Sequence, residues 1–243
     1  MIDSNNLFQN MTLLDIDKSI ETPIPFILIS SITLVPIYMI DVILRRLFGH
    51  KSRWFQLHAI INIIVTYISL PEVYDIICNP MNAFDKSFNR LGLILGLSLH
   101  LYHMIFFELT FMDKCHHISS AFICIPLTMF LDCKIISWHL FIGTGLPGGI
   151  DYIMLSFVKN SKLQSLKEKK YNGIINAYLR GPFGVIGSFL TYMRSLTFEN
   201  GSLRQCCGFI VTIISFLNCT FFAKLAIENY RDHYVKKMNQ KLN

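Results

Sequence analysis

The chain has 243 residues, 52% of them hydrophobic and only 16% charged, with a formal net charge of +6. Soluble domains carry roughly 25% charged residues, so this sequence has too little polar surface to clothe a water-soluble particle. Disorder, a collagen-like rod and a disulfide-stapled secreted module are excluded by the same figures.

What remains is an integral membrane protein, and the apolar residues come in the blocks this requires. A helix crossing a ~30 Å hydrocarbon core needs about 20 mostly apolar residues. Uncharged runs stand at 22–40, 54–71, 91–107, 115–131, 135–150 and 205–223, and a seventh segment, 171–193, is interrupted only by Arg180. The predicted fold is therefore all-α, a polytopic transmembrane helix bundle of about seven spans. Its expected divisions are a luminal N-terminal segment at 1–24, the membrane domain at 25–226 and a cytoplasmic tail at 227–243. The opening MIDSNN lacks a basic n-region, so the first span is expected to serve as its own insertion signal. Seven cysteines without a CxxC pair, most of them in or beside apolar runs, read as small buried hydrophobes.

Cytoplasmic loops retain an excess of Lys and Arg, which orients the chain. The segment before the first span holds Lys18 against Asp3, Asp15, Asp17 and Glu21. The next loop carries Arg45, Arg46, Lys51 and Arg53 without an acid, and the loop after the fifth span carries Lys159, Lys162, Lys167, Lys169 and Lys170 against Glu168. With the N-terminus luminal, these loops, Lys114 and the basic tail all fall on the cytoplasmic side. The basic residues are thus topology signals, and no nucleic-acid partner is expected. The sequons at Asn10 and Asn200 would then be luminal and open to glycosylation, while a third at Asn218 lies within a span.

Titratable groups inside spans cost several kcal/mol at the bilayer centre and mark functional sites by default. Asp41, Glu108, His139 and His58 lie near span ends and read as interfacial. His103, His116, His117, Asp151 and Arg180 are expected to share a depth: Asp151 about 12 Å below Lys159, and His103 about 15 Å from Asp113, at 1.5 Å per residue. They predict a polar pocket in the cytoplasmic half. A neutral imidazole there could take a proton or act as a nucleophile. Asp151 could fix its tautomer, and Arg180 could bind a phosphate or carboxylate head group. The run GTGLPGGIDY (143–152) adds a helix break in which Gly148 and Gly149 would let a ligand or another backbone approach.

The stretch FMDKCHHISSAFICIP (111–126), followed by a Gly-rich span ending GGIDY, resembles the TLC-domain family. That family includes ceramide synthases, translocating-chain-associated proteins and lipid-regulating TLC proteins. The resemblance covers roughly 50–230. His116 and His117 match the family's histidine pair, and Asp151-Tyr152 match the second aspartate of the synthase signature and its Tyr. Gly148 stands where the first aspartate would be, and the separation of His116 from Asp151 is longer than the synthase pattern. The resemblance therefore implies the non-synthase branch, concerned with membrane lipid binding, sensing, trafficking or homeostasis, in the endoplasmic reticulum or another endomembrane. It implies membrane lipids and the bilayer as partners, a homo- or hetero-oligomer as an open alternative, and no bound cofactor or metal. The competing enzymatic reading is N-acylation of a sphingoid base, with acyl-CoA as co-substrate, His116 or His117 as base or nucleophile and Asp151 orienting it. A seven-helix receptor has the same threading, but the third span ends FFELTFMD without an acid-Arg pair and the seventh lacks an Asn-Pro motif.

Overall fold

The computed structural model describes residues 23–85 and 88–242, and among them the chain is all-helical. The helices are α1 (Pro23–Ile32), α2 (Leu34–Phe48), α3 (Arg53–Cys78), α4 (Leu91–Phe106), α5 (Phe111–Ile118), α6 (Ile125–Met129), α7 (Ile135–His139), α8 (Leu146–Lys159), α9 (Ser165–Ile175), α10 (Gly181–Ser195) and α11 (Leu203–Leu242). Four stretches are long and apolar enough to cross a membrane: Ile24–Phe48, Arg53–Cys78, Ile135–Lys159 and Leu203–Gln240. Leu91–Phe106 is apolar but shorter. The predicted run 115–131 falls on α5 and α6, and 171–193 on α9 and α10; these are helical but do not reach the length and hydropathy of the other four.

Three pairs of helices join without a loop. The linking stretches Ser119–Cys124, Leu140–Gly145 and Asn176–Arg180 are π-helical, and each runs into a helix with proline in its first turn, namely Pro126, Pro147 and Pro182. Proline has no N–H and its ring crowds the carbonyl four residues back. The wider π turn shifts the hydrogen-bond ladder by one residue just before it, so the helix bends rather than stops. The expected break at GTGLPGGIDY is therefore a π turn within a continuing helix.

The connections sort to two ends of the bundle. At one end Asn160 donates a hydrogen bond of 2.8 Å to Ser52, tying the α8–α9 turn to the start of α3. At the other, Lys134 bonds Asp75 and Asp85, Arg90 bonds Asp132, and Arg204 donates to the Phe130 carbonyl. The first end thereby collects Lys51, Arg53, Lys159 and Lys162.

Helix α3 is the hub, packed on α2, α4, α7 and α8, while α11 lies along α9 and α10. Close approach depends on missing side chains: a Cβ on Gly184 of α10 would stand 2.1 Å from Cys219 Sγ of α11. The outward surface is apolar, with Ile24, Tyr67 and Phe189 more than half exposed, as suits helices bounded by lipid rather than water.

Beside the core lies a buried ion pair that the sequence reading placed at the interface. Asp41 is fully buried. Arg53 donates two hydrogen bonds to its carboxylate, Tyr102 a third at 2.6 Å, and Arg45 stands 3.8 Å away. The cluster joins α2, α3 and α4. Position near the end of an apolar run does not imply exposure when a neighbouring helix supplies the countercharge.

Candidate functional site

Five histidines from three helices meet at the end of the bundle that carries Lys51 and Lys159. Trp54 and His58 lie in the first two turns of α3, His100 and His103 near the end of α4, and His116 and His117 in α5. Helix α5 begins where it does because Thr110 caps it: its hydroxyl accepts from the Asp113 N–H and the Asp113 carboxylate accepts from Thr110, a capping box. That cap sets both histidines within the first two turns, facing α4.

The rings form a continuous packed group. Trp54 and His103 stack with centroids 4.0 Å apart, and His58 lies 4.3 Å from His103. His117 is 4.9 Å from His100 and 5.5 Å from His103, and His116 is 5.5 Å from His100. On the far side, Tyr152 of α8 stacks on His58 at 4.2 Å. His58, His100, His103 and His117 are buried, whereas His116 keeps an exposed edge and meets Phe222 of α11.

Burial leaves the cluster's nitrogens without partners. Five of them, His58 Nε2, His100 Nε2, both nitrogens of His103 and His117 Nδ1, are buried with no hydrogen bond. His100 Nδ1 donates 2.7 Å to the Gly96 carbonyl; since a carbonyl only accepts, neutral His100 presents Nε2 as a bare acceptor. Each unmet buried polar group costs about 1–3 kcal/mol, so the arrangement is one that a ligand or a transferred proton would relieve. Among the described residues no three His, Cys, Asp or Glu side chains are placed to hold a metal ion.

A second polar group lies behind Tyr152. Asp151 has a buried, unpartnered Oδ1. Glu168 of α9, itself buried, is ion-paired with Lys169 at 3.1 Å. Arg180 donates 3.1 Å to Asn176, and its Nε is buried without a partner. Gly148 and Gly149 are occupied by α3: a Cβ on Gly148 would stand 2.8 Å from Asn62 Nδ2, and one on Gly149 3.4 Å from Ile63. Their lack of side chains lets α3 close on α8.

A cleft of about 270 Å³ opens beside the histidines, lined by Trp54, Phe55, Glu108 and Asp113.

No protein-family model matches the chain, and no curated protein or solved structure does. The site therefore rests on its own geometry. Of the residues singled out in the sequence, His103, His116 and His117 come together, while Asp151 and Arg180 form the adjoining group, reached through Tyr152 and His58. Asn200 is exposed in the turn between α10 and α11; Asn10 lies outside the described residues. The cluster is shallower than expected, because α4 ends at Phe106 and His103 lies in its last turn rather than about 15 Å from its end. His58, read as interfacial, is at the centre. The signal for it was present: Trp54, His58 and Asn62 recur every four residues and so share one face of α3. His139, by contrast, is structural, bonded at 2.7 Å to Thr191, whose own hydroxyl donates to Gly187.

Proposed function

We propose that this chain is a multi-pass membrane protein of the TLC type, crossing the bilayer about seven times, that binds, senses or moves membrane lipids at its histidine cluster. The observation that carries the reading is the set of five buried, partnerless imidazole nitrogens on three helices, beside a cleft at one end of an apolar bundle. Intramembrane ionisable groups of this kind are expensive and are found where a ligand or proton uses them. The basic end faces the cytoplasm in this reading, with the N-terminal segment and Asn200 luminal and an endomembrane as the compartment. The test is to express the wild type and, separately, His116→Ala, His117→Ala and Asp151→Ala, and profile membrane lipids. The wild type alters the profile and His117→Ala abolishes the change; a profile unmoved by the wild type, or altered equally by all variants, overturns the reading.

A second reading, acyl transfer from acyl-CoA to a sphingoid base, is favoured by the same bare nitrogens. The amine nitrogen would attack the thioester carbonyl, the C–S bond would break, and the histidine would pass the amine proton to the departing thiolate. Asp151 has no hydrogen bond on Oδ1 and lies nearer Glu168 and Arg180 in its connections, which weighs against its orienting the imidazole. Purified protein given acyl-CoA and sphingoid base decides: amide product supports this reading, and its absence removes it.

A further inference from the structure

The cleft beside the cluster has walls of unusual chemistry for its position. The surrounding end of the bundle is basic, yet the cleft is lined by two carboxylates, Glu108 and Asp113, and two aromatic rings, Trp54 and Phe55. The Asp113 carboxylate is engaged by the Thr110 cap. Glu108, in the loop between α4 and α5, has no hydrogen bond or ion pair among the described residues. His103 covers one face of the Trp54 indole, and the same indole forms a wall of the cleft. Outside it, the Lys159 ammonium stands 5.7 Å from the Phe55 ring centre.

Aromatic faces with a nearby carboxylate are the chemistry that recognises a methylated ammonium, a cation that offers no N–H to donate. A cleft of about 270 Å³ has room for such a group. Lys159, at the Phe55 wall, is placed to meet a negative charge linked to it. We propose that this cleft binds the zwitterionic phosphocholine head group of a membrane lipid. The ammonium sits between Trp54, Phe55, Glu108 and Asp113, and the phosphate lies toward Lys159. This deepens the lipid-handling reading and rests on it: the head group docks in the cleft, next to the histidine cluster.

The experiment is calorimetric titration of the full chain in maltoside detergent with dihexanoylphosphatidylcholine, dihexanoylphosphatidylglycerol and free phosphocholine. The phosphatidylcholine binds saturably and at least tenfold more tightly than the phosphatidylglycerol. Glu108→Gln weakens the phosphatidylcholine about tenfold, the scale of one charge-assisted contact, Glu108→Lys weakens it further, and neither variant weakens the phosphatidylglycerol. Glu108 is exposed and without an internal partner, so both variants keep the wild-type helix content and thermal midpoint. Equal binding of the two lipids, unmoved at Glu108, overturns the head-group assignment and leaves the lipid-handling reading standing. Free phosphocholine binding as tightly as the lipid overturns the lipid as the source. Absence of binding by all three probes overturns the head-group assignment, and only an unaltered lipid profile on expression removes the broader reading as well.

Discussion

His58 and Tyr152 stack with ring centroids 4.2 Å apart and planes only 12° from parallel. This contact joins the hub helix α3 to α8, and it links the histidine cluster to the Asp151–Arg180 group. Because the same ring is both a packing element and a bearer of a bare Nε2, its two roles separate by substitution.

His58→Ala removes a fully packed ring from between two helices, at a cost of about 3 kcal/mol by analogy with buried aromatic truncations. For a chain of this size that lowers the thermal midpoint by roughly 6–12 °C. His58→Phe keeps the ring and stays within a few degrees of wild type. If Nε2 serves the lipid function, both variants lose the lipid-profile change, although only the first unfolds early. Differential scanning fluorimetry in detergent, paired with the lipid profile, reads both.

Asp41→Asn strips the charge that Arg53, Tyr102 and Arg45 all address. Removing one partner of a buried pair leaves the other uncompensated, typically a loss of about 3–5 kcal/mol. The double variant Asp41→Asn/Arg53→Gln removes both charges and recovers part of that loss. A double variant as unstable as the single one would mean that Arg53 is not the residue left stranded. Denaturation midpoints of the two, measured side by side, settle the matter.

Gly184→Ala tests the closest helix contact. Its new methyl would meet Cys219 Sγ at 2.1 Å and Cβ at 2.5 Å, so α10 and α11 must separate, at a cost of about 1–3 kcal/mol. Adding Cys219→Gly clears both atoms and restores most of the lost midpoint. Failure of the second change to restore it would place the strain elsewhere.

At the opposite end of the bundle, the Asp75 and Asp85 carboxylates beside Lys134 hold its ammonium above the ordinary lysine value of 10.5. A group whose folded value is raised stabilises the fold fully below its unfolded value, and that contribution fades as pH climbs through the folded one. Stability therefore declines on the alkaline side, above about pH 10.5, and Lys134→Met flattens that part of the profile. The change is small, since the partner carboxylates, Asp75 and Asp85, are open to solvent, which screens the pairs. Thermal midpoints from pH 8 to 11.5 test it.

Asn200 offers a test of threading. Expressed with microsomes, the wild type carries a glycan that Asn200→Gln loses, when the end bearing Asp132 and Lys134 is luminal. A gel mobility identical in the two proteins, with Asn10→Gln also silent, would favour the reverse orientation.

How far the sequence reached is clearest at particular residues. The apolar blocks, the alternation of loops and the gathering of lysines at one end follow from composition and spacing, because burial of backbone in lipid permits little besides helices of a set length. The histidine pair in α5 and His103 in α4 stood out for the same reason: polar rings are costly there wherever they point. Position within a run, however, does not tell what a helix meets on its other side. Asp41 and His58 both lie near the ends of apolar runs, and both are buried, one by Arg53 and Tyr102 and the other by Tyr152 and Trp54. Glu108 lies equally near an end and is exposed. The depth of His103 likewise depended on where α4 stops: the backbone turns extended at Phe107, within a run that is still apolar. Sequence alone determined that the chain is a helical bundle with costly polar groups inside it. Only the packing of α3 against α4, α5 and α8 decided which of those groups meet, since contact between helices is set by side-chain fit across the interface and not by order along the chain.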